Sequence, residues 1–318
     1  MKKLHFTENG FRPAQKKWVP SLQTIQLSDN FLCFFDGRGK AGEPVFGATD
    51  ENWPQVDMDL GIACYTLFQG SEAVVFDTMI LPEQAAYVRS RLKSLGVKKF
   101  TVINTHMDLD HVGGNSAFAD CEIIALQGTF DALSKYKTQI EKGEFWGPPA
   151  VKPLTLPNTL INKDTARELA GFELHLLRVD AHQEGGSLCI HIPEYRALIV
   201  GDVLEDAAVY VNQPQDLLTN IAETKHLLEL DIDYVFPMHG NPAMIARGAY
   251  GKRFIESAIV YQQRLFDQLE SSDYLNSNFN DFMGDFLAEG VITPYEAYID
   301  IHKMNTANIY KHWHKKNE

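Results

Sequence analysis

Within six residues, His106-Met107-Asp108-Leu109-Asp110-His111, the chain places four side chains able to bind divalent metals, and Gly113-Gly114 follow closely. Whatever this chain folds into has to bring that crowded polar segment to one point. Ahead of it lies Lys99-Phe100-Thr101-Val102-Ile103-Asn104, an apolar, β-branched run short enough to be a buried strand. The ligands therefore begin where a strand ends, and side chains on a loop converge there without helical spacing. Imidazole nitrogens and carboxylate oxygens together suit Zn²⁺, Fe²⁺ or Mn²⁺. The two glycines would let the backbone turn tightly behind them. The competing reading is an acidic loop that caps the next helix through Asp110 or Asn115. Two histidines with two aspartates at this spacing favour the metal.

The run resembles the His-x-His-x-Asp-His-x-Gly-Gly signature of the metallo-β-lactamase superfamily, except that Asp108 stands where that family usually has histidine. The family's other motifs recur in order. Upstream, Ala73-Val74-Val75-Phe76-Asp77-Thr78 is similar to the first, whose aspartate braces the site rather than binding metal. Downstream, Asp180-Ala181-His182-Gln183-Glu184-Gly185-Gly186-Ser187 is similar to the third, and Ala197-Leu198-Ile199-Val200-Gly201-Asp202 to the fourth. Tyr234-Val235-Phe236-Pro237-Met238-His239-Gly240 is similar to the fifth. Each member alone is weak, and the fixed order from about residue 60 to 242 makes the set specific. The resemblance implies an α/β fold, a four-layer αβ/βα sandwich with a helical C-terminal extension. It implies a catalytic domain over residues 1–245 and an extension over 246–318 packed on the same domain.

Carried over position by position, the resemblance implies one metal held by His106, Asp108 and His182 and a second held by Asp110, His111 and His239, with Asp202 bridging them. Two divalent ions roughly 3.5–4 Å apart can share a hydroxide and polarise a substrate oxygen, which is hydrolytic chemistry. Asp110 is the candidate catalytic residue, orienting that nucleophile and passing a proton to the leaving group. Asp108 changes the charge count. Three carboxylates against two divalent ions leave about +1 and a bridging hydroxide brings about zero, one unit less positive than with histidine. Such a site is a weaker Lewis acid, and its harder oxygen ligand moves preference from zinc toward iron or manganese. The expected cofactors are two divalent metal ions, zinc first, with iron or manganese as alternatives.

These expectations amount to a dinuclear metal-dependent hydrolase cutting a small ester, thioester, lactone or similar bond. The runner-up is a phosphodiesterase, which calls for cationic or amide groups beside the metals. A different class is a di-iron redox protein working with a flavoprotein partner, because a carboxylate at the position of Asp108 also occurs in di-iron flavoproteins of this superfamily. Nothing in the sequence resembles their flavin domain. A metal-binding sensor without turnover is a third reading, and it calls for no open coordination position.

A length of 318 residues is enough to bury a substantial core. The net charge of −13 argues against nucleic acid as a partner, since phosphate backbones are held by Lys and Arg. The expected partner is a small-molecule substrate. Cys33, Cys64, Cys121 and Cys189 lie far apart among apolar neighbours, as buried free thiols would. The basic start, Met1-Lys2-Lys3, has no apolar run of about 7 to 15 residues behind it, and no segment approaches the roughly 20 apolar residues of a membrane helix. A cytoplasmic protein with no membrane association is the expectation.

Strand-like runs are expected at Thr24 to Phe35 and Ile62 to Phe68, and again at Phe172 to Val179, Leu188 to His191 and Leu198 to Val200. Helices are expected at Pro82 to Leu95 and Leu217 to Leu230. Two loops with aromatics could cover either core or substrate: Gly47 to Val56 with Trp53, and Lys135 to Pro153 with Phe145 and Trp146. Tyr210 could donate a hydrogen bond to substrate or simply pack. Beyond Ala246, Phe254, Ile255, Ile259, Leu265 and Leu269 mark one apolar helix face, which would pack on the sandwich, form a homodimer or wall the pocket. His302, His312 and His314 belong to a basic terminal stretch and read as a solvated helix, not as ligands.

Overall fold

The computed structural model describes residue 4, residues 11–13 and 22–38, and residues 59–314 apart from 148, 149 and 272. The Gly47 to Val56 loop with Trp53 lies outside the described residues. The strand-like run from Thr24 to Phe35 is a hairpin of two strands. Asp29-Asn30 turns the chain, with the Ser28 hydroxyl donating to Asn30 Oδ1 at 3.0 Å, because short polar side chains satisfy a tight turn locally.

That hairpin joins an eight-stranded sheet in chain order: β1 (Phe11–Pro13), β2 (Gln23–Ser28), β3 (Phe31–Asp36), β4 (Ile62–Gln69), β5 (Glu72–Phe76), β6 (Lys99–Ile103), β7 (Glu122–Leu126) and β8 (Thr159–Ile161). Pairing is antiparallel from β1 to β5, where short connections suffice. It turns parallel from β5 to β8, where α1 (Pro82–Ser94), α2 (Leu109–Val112) and α3 (Gln127–Lys142) make the crossovers. A second sheet holds β9 (Thr165–Leu169), β10 (Phe172–Val179), β11 (Ser187–Ile192), β12 (Ala197–Ile199) and β13 (Tyr234–Phe236), ordered β13-β12-β11-β10-β9. It is antiparallel except for β12 and β13, which α4 (Leu217–His226) separates and which pair in parallel.

The sheets face each other across an aromatic core. Phe31 of β3 meets Phe236 of β13 edge-on at 5.3 Å, and Tyr65 of β4 lies 5.5 Å from the same ring. Helices cover the outer faces: Tyr87 of α1 packs edge-on against Phe34 of β3, and α6 (Lys252–Asp267), reached through α5 (Pro242–Ala246), lies against α4 and β13. The result is a four-layer αβ/βα sandwich with further helices after it, α7 (Phe279–Phe282), α8 (Gly284–Glu289) and α9 (Ala297–His314). Phe254, Ile255, Ile259 and Leu265, the apolar face read from the sequence, are buried in this packing. Cys33, Cys64 and Cys189 are buried free thiols, while Cys121 is only partly covered. No helix among the described residues is long and apolar enough to cross a membrane.

His302 corrects the solvated reading of the last helix. It is buried, with Tyr261 Oη 3.1 Å from Nδ1 and Ser277 Oγ 2.9 Å from Nε2. Apolar residues recur on the inner side of α9, at Tyr298, Ile301 and Ile309, and carry His302 inward with them. Burial pushes its pKa down from 6.5 to about 4. The unfolded chain therefore binds a proton that the folded chain refuses between those values, so this contribution is whole above pH 6.5 and is lost as pH falls toward 4. Thermal melts across pH 4 to 7 should show a shallower acid-side fall in Tm for His302→Asn than for the wild type, and parallel curves would remove His302 as the cause.

Candidate metal centre

Strand direction decides where the polar motifs meet. β5 and β6 run parallel, as do β12 and β13, and β10 runs with β12 because two antiparallel pairings separate them. Asp77 follows β5, His106 follows β6, His182 follows β10, Asp202 follows β12 and His239 follows β13. All therefore emerge at one edge of the sandwich, outside the carboxyl ends of the strands. Two backbone hydrogen bonds tie the sheets together there: Leu188 N–H donates to the Thr105 carbonyl at 2.8 Å, and Ala63 N–H to the Met238 carbonyl at 2.8 Å.

Within the ligand segment, apolar and polar positions separate by face. Met107, Leu109 and Val112 enter a small apolar cluster with Ala132, Leu133 and Ile140 of α3 and with Val151 and Leu154. This anchors the segment from behind and leaves His106, Asp108, Asp110 and His111 to the front. Asp108, not Asp110 or Asn115, stands at the N-terminus of α2, and its side chain makes no capping bond. Asn115 instead exchanges hydrogen bonds with Asn104 and accepts one from Thr78. Gly113 and Gly114 are required for a reason other than the expected tight turn. Gly113 has an ordinary helical φ of −58°, but a Cβ there would lie 2.0 Å from the Ile80 carbonyl oxygen, and one at Gly114 would lie 2.1 Å from that of Thr78. The two chains pass too close for any side chain.

Asp77 is fully buried behind the ligands. One oxygen accepts from Thr105 N–H at 2.7 Å, and the other accepts from the Thr105 hydroxyl at 2.6 Å and from His111 Nδ1 at 2.8 Å. A carboxylate only accepts, so His111 holds a proton on Nδ1 and turns Nε2 to the front, the nitrogen left for a cation. The Thr105 hydroxyl gives its proton to Asp77 and so receives one from His106 Nδ1, 2.9 Å away, which turns His106 Nε2 to the front in the same way. His239 Nδ1 donates to the Gly61 carbonyl with the same outcome.

These three Nε2 atoms surround Asp202. Its Oδ2 lies 3.3 Å from His106 Nε2, 3.1 Å from His111 Nε2 and 3.3 Å from His239 Nε2, and Asp110 Oδ2 lies 3.1 Å from His239 Nε2. Yet His106 Nε2, His111 Nε2 and Asp202 Oδ1 are buried without a hydrogen-bond partner. Orphaned polar atoms at this spacing fit a divalent cation, since donors sharing one tetrahedral zinc sit about 3.3 Å apart. Two compact groups result, His106 with His111 and Asp202, and Asp110 with His111 and His239. Asp108 and His182 stand at the margin. Asp108 Oδ2 is 3.6 Å from His106 Nε2, and the His182 ring meets that of His106 edge-on with centroids 6.3 Å apart, both His182 nitrogens unpartnered.

Charge follows the same division. Burial opposes protonation of His106, but Asp202 and Asp108 overcome it and raise its pKa to about 9. Burial opposes protonation of His111 and His239 as well, but Asp202 and Asp110 leave both well above the ordinary value, while those imidazoles hold Asp202 well below its own. At His182 burial and the neighbouring His106 outweigh the pull of Asp202 and lower the pKa to about 3, leaving a neutral imidazole. The cluster has a surplus of negative charge that positive charge must answer.

The family model of the metallo-β-lactamase superfamily matches residues 58–239, more than half of the chain. The chain belongs to the metallo-β-lactamase superfamily. Solved members of the superfamily share the fold. The metallo-β-lactamase FIM-1 from Pseudomonas aeruginosa in its mono-zinc form superposes with a TM-score of 0.56 at 15% identity, covering 79% of this chain and 98% of that one. The metallo-β-lactamase from Pontibacter korlensis gives 0.53 at 14%, over 74% and 99%, and that from Hirschia baltica gives 0.52 at 17%, over 75% and 96%.

Several members of this superfamily site carry no signal in the sequence. Thr105 and the Gly61 carbonyl orient His106 and His239, and neither residue type announces such a role. The Phe145 ring packs on Tyr136 at 4.5 Å and joins the cluster under Met107, while Trp146 stacks on Phe145 and is 45% exposed. Replacing Asp77 by Asn puts an amide N–H where donors now arrive. Metal affinity of Asp77→Asn, measured against a chromophoric chelator, should fall about 10- to 100-fold, and unchanged affinity would remove Asp77 from the site.

Proposed function

We propose that the protein is a dinuclear metal-dependent hydrolase of small ester, thioester, lactone or similar bonds. The observation that carries this reading is the pair of buried, unpartnered nitrogens, His106 Nε2 and His111 Nε2, beside the Asp202 carboxylate, whose Oδ1 is unpartnered too and whose Oδ2 also lies 3.3 Å from His239 Nε2. In this reading His106, Asp108 and His182 hold one ion, Asp110, His111 and His239 hold the other, and Asp202 touches both sets. Divalent ions bound there supply Lewis acidity, polarising a substrate oxygen and making water acidic enough to ionise near neutral pH.

The chain's own residues supply the rest. Burial opposes ionisation of Asp110, but His111 and His239 hold its pKa below the ordinary value, so it is a carboxylate ready to accept a proton. It orients the attacking water and returns the proton to the leaving group. Every ion-pair partner of Asp108, Asp110 and Asp202 among the described residues is a histidine. The lack of a Lys or Arg partner supports a neutral carbonyl compound over a phosphodiester, which needs cations for its charge.

Elemental analysis of protein made without added metal, read beside esterase, lactonase, thioesterase and phosphodiesterase assays, tests the proposal. Near two zinc or manganese per chain with carbonyl-ester turnover is expected; two irons whose visible absorption bleaches under dithionite would overturn it. Asp202→Ala and His111→Ala should lose metal and at least about 100-fold in rate together, whereas His312→Ala keeps both. Asp108→His should shift metal preference toward zinc in a competition between zinc and manganese.

A further inference from the structure

Away from the metal centre, the second sheet carries two histidines that belong to none of the motifs. β10 and β11 pair antiparallel, and His175 stands directly opposite His191. Along β10, Leu174 and Leu176 are buried in the main core, while Glu173 and His175 alternate with them to the outer face. His191, across from His175, shares that outer face. The two imidazoles meet edge-on at 69°, with ring centroids 5.4 Å apart. In the metal centre His111 and His239 stand in almost the same relation, 5.5 Å and 77°, and their ligand atoms converge in one group. Two imidazoles on one tetrahedral zinc, each nitrogen about 2.0–2.1 Å from the ion, put their ring centres about 5.2 Å apart. The outer pair is therefore already spaced for a shared ion.

The polar contacts around the pair point the same way. His175 Nε2 lies 3.0 Å from Glu173 Oε1. The carboxylate only accepts, so His175 holds a proton on Nε2, and Nδ1 is the nitrogen left for a cation. Asp77 braces His111 in the same manner, with the two ring nitrogens exchanged. His191 is only 7% exposed, and both of its nitrogens are buried without a hydrogen-bond partner. Packing of two rings explains neither orphan, and a buried polar atom left unmet is costly. Burial and then His175 lower the His191 pKa, and the backbone and charge of Asp231 offset this only in part, so the ring is neutral, the form that binds a metal. The Asp231 carboxylate itself is engaged by Arg196. The His175 side chain is 37% exposed and gives an ion its way in.

We propose that His175 and His191 together bind one late first-row divalent cation, of the copper, nickel and zinc class, at a second metal site on the outer face of the β10–β11 hairpin, with Glu173 as the positioning residue for His175. Imidazole ligands select this class over magnesium and calcium, and copper(II) is held most tightly within it. An ion there ties together the two strands whose connecting loop carries His182. The assignment is independent of the hydrolase reading.

Zinc-loaded full-length protein, desalted to remove free ion, is titrated calorimetrically with Cu²⁺ while zinc retained per chain is counted and the electron paramagnetic resonance spectrum of copper is recorded. The wild type should bind one Cu²⁺ per chain more than His175→Gln does, and the spectrum of that copper should show coupling to two imidazole nitrogens. Glu173→Gln should weaken its binding about 10-fold, and His191→Gln by more than that. Should His191→Gln fail to fold, the partly exposed His175 decides through its own variant. Equal copper uptake at equal affinity in the wild type and His175→Gln overturns the proposal, whether that copper replaces zinc at the main centre or sits on other histidines. A spectrum without nitrogen coupling overturns it too. Full affinity in Glu173→Gln beside a loss in His175→Gln removes Glu173 and leaves the histidine pair.

Discussion

A carboxylate sealed from water is unfavourable unless donors surround it, and the Asp77 side chain has three of them. It sits in a left-handed conformation, φ 59°, where β5 stops, so the chain is already strained toward the site at that residue. What Asp77 accepts fixes what its neighbours can offer. The proton positions on His106 and His111, the turn out of β6 and the orientation of both imidazoles follow from one buried charge. The hydrogen bonds are short and directed, so the front of the site inherits its geometry from the back.

The front is governed by an unresolved competition. Burial works against every charge there, and the carboxylates of Asp108, Asp110 and Asp202 force charge onto the imidazoles regardless. Protons and metal ions are alternative answers to the same surplus, so metal uptake displaces protons and strengthens with pH. His182 stands apart from this exchange. Kept neutral by burial and by the imidazole of His106 beside it, it needs no proton removed before it can bind a cation.

Strand ends were readable because the signal was local: short apolar runs each ending in one polar residue placed Asp77, His106, His182, Asp202 and His239 before any tertiary information. The hairpin at Asp29-Asn30 was missed because β2, which sets Ile25 and Leu27 among polar residues, runs into the apolar β3 with an interruption of only two residues. His302 was misread for a related reason. It was grouped with the basic end of the chain, while its neighbours in space, Tyr261 and Ser277, come from segments 41 and 25 residues away. The roles of Thr105 and Gly61 depend on contacts between distant segments, which no pattern along the chain encodes. So does that of Asn305, which clamps an extended piece of chain: its Oδ1 accepts from Val211 N–H at 2.8 Å and its Nδ2 donates to the Val209 carbonyl at 2.9 Å. The importance of Gly113 and Gly114 was visible, but its cause, the approach of the Ile80 and Thr78 carbonyls, needed the fold.

The clamp formed by Asn305 has a consequence for synthesis. Asn305 lies on α9, after every residue of the metal cluster. As the chain leaves the ribosome, its two sheets and all the residues around Asp202 are present while the Val209–Val211 segment still lacks its partner. Every residue of the metal cluster is thus made before the helix that holds Val209–Val211, which makes this segment, eight residues past Asp202, among the last near the cluster to find its partners.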